Sequence, residues 1–202
     1  MSLPFHPEEE PEAPAAPALI SLLNEVPRSG RWVLPALAQA FRGPDVSTLK
    51  PKLRALVLLR IAALDRAPYW REQLSHDAPS LGISAEELDL IGSDEWETAP
   101  AFTDRERAAI AWGDRIARRL ARRDTSAYAE LRRHFSDGEV VELTAIASLG
   151  SMANRITNAL RIAPEHGAGL SPGDGPVDEA LRRWSRTMFD GDLRETWTEA
   201  GT

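Results

Sequence analysis

The sequence predicts an all-α protein, and three observations carry that expectation. Apolar residues recur at helical spacing through almost every segment between residues 18 and 164. Three capping boxes mark helix starts. No stretch alternates apolar and polar residues over a useful length, so no strand is expected.

Residues 1–17 (MSLPFHPEEEPEAPAAP) are dominated by Pro and Glu and offer little to bury, which reads as a flexible acidic arm. The stretches ALISLLNEV and RWVLPALAQAFR then form two short amphipathic pieces. TLKPKLRALVLLRIAAL is a longer helix that tolerates Pro51 in its first turn, where the missing N–H has no intrahelical partner to lose. In LDRAPYWREQLSHDAPSLG, Pro68 stands at a helix start and Pro79 near its end. Capping boxes follow at Ser84 with Glu87, Thr103 with Glu106, and Ser136 with Glu139. In each, a hydroxyl accepts an early backbone N–H and the carboxylate reaches back three residues. They open SAEELDLIG, TDRERAAIAWGDRIARRLARR, and SDGEVVELTAIASLGSMANRITNALRI, the last being the longest helix.

The helical domain is expected over 18–164. A Gly/Pro linker at 165–175 forbids continued helix, and 176–202 reads as a helical tail. Trp184, Met188 and Trp197 need burial there, so the tail is expected to pack on its own domain or on a neighbouring subunit.

Composition removes several function classes. The 202 residues carry a net charge of −7, which argues against nucleic-acid binding. No apolar run approaches the roughly 20 residues needed to span a bilayer. The acidic N-terminus is unlike a secretory signal, so no membrane partner and a cytoplasmic location are expected. The chain contains no cysteine, which excludes disulfides, thiol nucleophiles and cysteine-ligated metals. The four histidines, at 6, 76, 134 and 166, lack metal-ligand spacing, so no metal or cofactor is expected.

Four blocks in order, LKPKLRALVLLRIAALDRAPYW, LGISAEELDLI, FTDRERAAIAWGDRIAR and HFSDGEVVELTAIASLGSMANRITNAL, resemble the carboxymuconolactone decarboxylase / alkylhydroperoxidase D-like superfamily. The resemblance covers roughly residues 25–162. It implies an alkylhydroperoxidase D-like helical bundle that assembles as a trimer or hexamer, a dimer being the other option. It also implies hydroperoxidase or lactone decarboxylase chemistry. The thiol-dependent branch of that superfamily carries a Glu, a Cys-x-x-Cys pair twelve residues on, and a His four residues after the second Cys. Those positions fall here on Ala55, Ala67, Trp70 and Leu74. None of these side chains moves a proton or an electron pair. The fold is carried over by the resemblance, the known chemistry is not, and the four residues are expected to line whatever pocket remains at the old centre.

His76 is a poor substitute for the lost histidine. At about 100° per residue it lies roughly 160° from position 74 around a regular helix. Tyr69, Glu72, Gln73 and His76 are expected to share one face, with Ala67, Trp70, Leu74, Ala78 and Leu81 on the other, an apolar stripe that reads as core. The plain account of Glu72 and His76 is a surface i, i+4 pair; the functional one is an oriented general base, with Tyr69 as a further proton carrier.

On the longest helix, Thr144, Ser148, Ser151, Arg155 and Asn158 form one polar stripe on a helix otherwise apolar nearly all round. Such a helix is expected to be buried. Arg155 then needs a carboxylate partner such as Glu142, a subunit seam, or a ligand anion. Ser148, Ser151, Arg155 and Asn158 are therefore the anion- or ligand-binding candidates. Arg60 inside LVLLRIAAL poses the same question, and a structural ion pair is its expected answer. His134 is expected at a helix C-terminus, favoured by the macrodipole.

Two readings follow. In the first, the redox centre has been replaced by packing, and the protein is a structural or small-molecule-binding homo-oligomer, its ligand small and apolar or a carboxylate. In the second, it is a cofactor-free decarboxylase, lyase or isomerase acting on a small carboxylate or lactone. There Arg155 clamps the substrate, and Tyr69, His76 or an acid from another subunit moves the proton.

Overall fold

The computed structural model describes residues 47–164. The acidic arm at 1–17, the two amphipathic pieces before residue 47, the linker at 165–175 and the tail at 176–202 lie outside the described residues. Among the described residues six α-helices form, α1 (Pro51–Leu64), α2 (Pro68–Asp77), α3 (Ala85–Ile91), α4 (Asp104–Ala117), α5 (Thr125–His134) and α6 (Asp137–Ala159). One 3-10 turn spans Glu95–Glu97, and no strand occurs among the described residues.

All three capping boxes are present in full, at Ser84, Thr103 and Ser136. Pro51 and Pro68 occupy the first turns of α1 and α2. His134 closes α5, whose last turn also carries Arg132 and Arg133, so three basic groups meet the negative end of the helix dipole.

Helices α1, α4 and α6 run parallel, and side-chain contacts fix their register. Along α1 and α4, Lys52 meets Glu106 near the start and Arg60 meets Asp114 near the end. Along α4 and α6, Arg105 meets Glu139, and the Trp112 indole N–H donates to Thr144 Oγ1 at 2.9 Å. Along α1 and α6, the Ser47 and Thr48 hydroxyls donate to Glu142 at one end, and Asn154 donates to Asp65 at the other. Two glycines permit the close approach. A Cβ on Gly150 would lie 2.6 Å from Leu58 Cδ2, and one on Gly113 would lie 2.8 Å from Val57 Cγ1. Leu56, Leu58, Ile61, Ile110 and Leu143 fill the space between the three helices.

Three expectations are corrected. The helix opened by Thr103 does not run on through RIARRLARR; it stops at Ala117, and α5 begins separately behind an Asp124 cap. The stop is a Schellman motif in which Leu120 N–H reaches Arg115 O and Arg119 N–H reaches Ile116 O. Its left-handed residue is Arg119 (φ 61°), so no glycine announces it in the sequence. Helices α1 and α6 end in the same way, on Arg66 and Arg161.

Secondly, α2 buries a wider arc than its apolar stripe. Tyr69, Gln73 and Asp77 are buried together with Trp70 and Leu74, while Glu72 and His76 are exposed. Thirdly, α6 is not buried all round. It packs through Leu143, Ile146, Ala147, Gly150, Ala153 and Asn154, and leaves Val141, Ala145, Ser148, Arg155 and Leu160 exposed.

Candidate functional site

The residues on which the resemblance places a redox centre lie on α1, on α2 and in the junction between them. Asp65 ends α1 and Arg66 takes the left-handed conformation (φ 51°). Ala67 N–H returns to Ala62 O, and Pro68 starts α2. From α6, the Asn154 amide donates to Asp65 Oδ2 at 2.9 Å and the Asn158 amide to Asp65 O at 3.0 Å. The turn is thereby held from both sides.

Ala55, Ala67, Trp70 and Leu74 expose 4%, 1%, 3% and 2% of their surfaces. Trp70 stacks edge-on against Tyr69, with ring centroids 5.2 Å apart. At the position that the resemblance matches to a second cysteine stands the Trp70 indole, and at the one it matches to a histidine stands Leu74, part of the core cluster.

Of the proton-carrier candidates, Tyr69 is buried, and Glu72 and His76 are exposed. His76 Nδ1 lies 3.3 Å from Asp77 Oδ1, on its own helix.

The α6 candidates divide differently. Ser148, Ser151 and Arg155 border one hollow of about 500 Å³, with Met152, Ile156, Ala159 and Leu160 as its apolar wall. Asn158 does not border it, being committed to Asp65. Ser148 Oγ bonds back to Thr144 O at 2.7 Å, the usual resort of a helical serine. Ser151 is 8% exposed, and its Oγ is buried with no hydrogen-bond partner. An orphaned hydroxyl of this kind costs about 1–3 kcal/mol. Arg155 is exposed and forms no ion pair among the described residues. The hollow thus combines an apolar floor, a hydroxyl with spare hydrogen-bonding capacity and a guanidinium. Side chains of these kinds are chemically suited to a small molecule with an apolar body and an anionic or carbonyl end.

Arg60 has the expected structural answer, with different acids. Its Nε and Nη2 donate to Asp114 Oδ2 at 2.9 and 2.7 Å, and both side chains are 2% exposed. Nη1 donates to Ser93 O and Nη2 to Asp94, and the guanidinium lies over the Trp96 ring. Arg115 and Arg118 bind the other oxygen of Asp114. Glu142, suggested above as the arginine partner, instead accepts from Ser47 and Thr48.

The residue missed in the sequence is Arg54. It is 4% exposed, its Nε has no hydrogen-bond partner, and burial lowers its affinity for the proton, with Glu142 as the opposing charge. The signal was an Arg on α1 one helical turn before Leu58, the residue that meets Gly150.

Comparison with known proteins places this architecture. No family model matches the chain. The uncharacterized protein YnjA of Escherichia coli (strain K12) is 27% identical over 116 residues, which is 57% of this chain. The match spans only 63% of YnjA. Among solved structures, protein ATU0492 from Agrobacterium tumefaciens, of unknown function and likened to the antioxidant defence protein AhpD, superposes with a TM-score of 0.64. It is 22% identical, over 71% of this chain and 95% of that one. A cysteine-to-alanine variant of the debrominase Bmp8, in complex with 2,3,4-tribromopyrrole, gives a TM-score of 0.62 at 20% identity. That match covers 85% of this chain and 82% of the debrominase. The class is therefore fixed at the level of architecture. The chain has the AhpD-like helical fold, in a form without any cysteine.

Proposed function

We propose that this chain is a non-peroxidatic, homo-oligomeric small-molecule-binding protein built on the AhpD-like fold. The observation that carries the reading is the near-complete burial of Ala55, Ala67, Trp70 and Leu74, in a chain with no sulfur nucleophile. Thiol peroxidase chemistry needs a thiolate and a proton relay, and the position of both is hydrocarbon and indole. Binding capacity lies instead on α6, at Ser148, Ser151 and Arg155. The debrominase variant supports the reading by analogy, since an AhpD-like protein deprived of a cysteine is seen holding a small heterocycle.

The cofactor-free lyase reading asks for a proton carrier beside Arg155. None of Tyr69, Glu72 and His76 lines the hollow that Arg155 borders, so binding without turnover is preferred.

The test has two arms. Organic hydroperoxide with a dithiol reductant is expected to give no turnover, and turnover would end the reading. Titration with small aromatic carboxylates is expected to give saturable binding that Arg155→Ala weakens at least tenfold while the assembly state is kept. Binding unaffected by Arg155→Ala would remove the α6 site.

A further inference from the structure

Five arginines fall between residues 115 and 123, and the end of α4 sorts them into two groups. Arg115 donates to Asp114 and Asp124, and Arg118 donates to Asp114 and lies 3.6 Å from Asp94. Arg60 takes the other oxygen of Asp114 and pairs with Asp94 as well. Asp124 also accepts from Ser126 Oγ and from the Ala127 N–H. Three aspartates at this end of the bundle are thereby committed. The side chains of Arg119, Arg122 and Arg123 are exposed and form no hydrogen bond or ion pair among the described residues.

The backbone holds these three together on a tight turn. Arg119 takes the left-handed conformation that ends α4, and Leu120 O then accepts from both the Arg123 and the Asp124 N–H. Leu120 itself is 40% exposed among the free guanidiniums. A hollow of about 290 Å³ opens beside it, bordered by Leu120, Arg123, Asp124, Thr125 and Ser126. Helix α5 begins there, so the positive end of its dipole adds to the same field. The patch is thus strongly positive on a chain whose net charge is −7, and it has an apolar centre.

We propose that the turn 119–123 is a docking surface for a short acidic segment of a partner protein. Carboxylates of that segment pair with Arg119, Arg122 and Arg123, and one apolar side chain packs on Leu120 at the edge of the hollow. Guanidinium forks hold carboxylates two hydrogen bonds at a time, and clustered arginines are a common reader of acidic motifs. Length of partner is decided by charge. A long polyanion or an anionic bilayer meets the repulsion of the whole acidic molecule, whereas a short segment lies within about one screening length, roughly 8–10 Å, of the patch alone. The surface shares no residue with the hollow on α6.

The test titrates full-length protein with a fluorescent peptide, Glu-Glu-Leu-Glu-Glu, and with a DNA duplex and phosphatidylserine vesicles as rival probes. The expected result is saturable peptide binding that weakens as salt is added. Arg119→Glu, Arg122→Glu and Arg123→Glu together should weaken it at least tenfold with an unchanged melting temperature. Arg122→Ala with Arg123→Ala, a milder pair, should weaken it at least threefold, and Leu120→Ser about twofold. Arg71→Ala, at an exposed arginine on α2, should leave it unchanged. Absence of saturable binding, equal binding by the milder pair, or tighter binding of the duplex or the vesicles would overturn the proposal.

Discussion

Asn154 and Asp65, 89 positions apart in the chain, meet through an amide–carboxylate hydrogen bond of 2.9 Å. The contact ties the turn between α1 and α2 to the helix that carries the polar hollow. Asn154 is 1% exposed, so removing its amide leaves a buried gap and takes a donor from the half-buried Asp65 carboxylate. Asn154→Ala is expected to cost about 1–3 kcal/mol, read as a lower urea midpoint with unchanged slope. Asn158→Ala, on the exposed edge of the same turn, is expected to cost less than about 1 kcal/mol.

Arg60 and Asp114 form a buried pair whose desolvation has already been met, so breaking it is worse than never having it. Asp114→Ala leaves Arg60 only the exposed Asp94 and the Ser93 carbonyl and is expected to destabilise by about 3 kcal/mol. Replacing both with Arg60→Met and Asp114→Leu is expected to recover most of that loss. Chemical denaturation of the three variants is the measurement. A double variant no better than the single one would mean that Arg115 and Arg118 depend on Asp114 more than Arg60 does.

The glycine contacts are predicted to differ in cost. Gly113→Ala drives a methyl against Val57 Cγ1, a branched side chain with little rotamer freedom, whereas Gly150→Ala meets the end of Leu58. Both are expected to destabilise, by about 1–3 kcal/mol, with Gly113→Ala the more severe. Leu58→Ala should rescue Gly150→Ala in part, and thermal melts would show it.

Acid sensitivity follows from the carboxylates at the helix starts. Ser136 N–H, together with Arg105, holds Glu139 below the usual value of 4.5. Burial pushes Glu106 and Glu142 up, and their bonds to Thr103 and Lys52, and to Ser47 and Thr48, more than reverse it. Groups whose folded pKa is depressed contribute stability above the unfolded value and lose it as pH falls. The melting temperature is therefore expected to be unaffected by these groups through neutral pH and to drop as pH goes below 4.5. Glu106→Gln with Glu139→Gln should flatten that drop and lower the plateau.

Much of the fold was legible because helix starts are written in local chemistry. A hydroxyl, a carboxylate three residues on and a proline in the first turn each satisfy an orphan N–H or remove it. Helix ends were less legible. Three of them rest on Arg in the left-handed conformation, which tertiary packing imposes and no glycine advertises. Arg119→Gly is accordingly expected to be neutral or stabilising by up to about 1 kcal/mol, although it looks like a surface change of no consequence.

The site was legible in part. The α6 spacing that singled out Ser148, Ser151 and Arg155 is a property of the helix itself, and the hollow joins those three. Asn158 fell away because its partner, Asp65, is set by how α1 and α6 cross. On α2, periodicity gave Trp70 and Leu74 as core and set Tyr69 and Gln73 on the opposite face, where they are buried as well. The number of elements covering a helix fixes how wide an arc it buries, and one helix's sequence does not contain that.

The central claim is that the space around Ala55, Ala67, Trp70 and Leu74, where the resemblance places a redox centre, is filled. It is tested most directly by placing a single thiol there, Ala67→Cys, in a protein that otherwise has none, and following its reaction with an aromatic disulfide reagent. A closed core predicts labelling in the native state slower than that of a free thiol by several orders of magnitude, and immediate labelling in denaturant. Rapid labelling of the folded protein, with an unchanged melting temperature, would mean that the centre is an open cavity and would contradict the account.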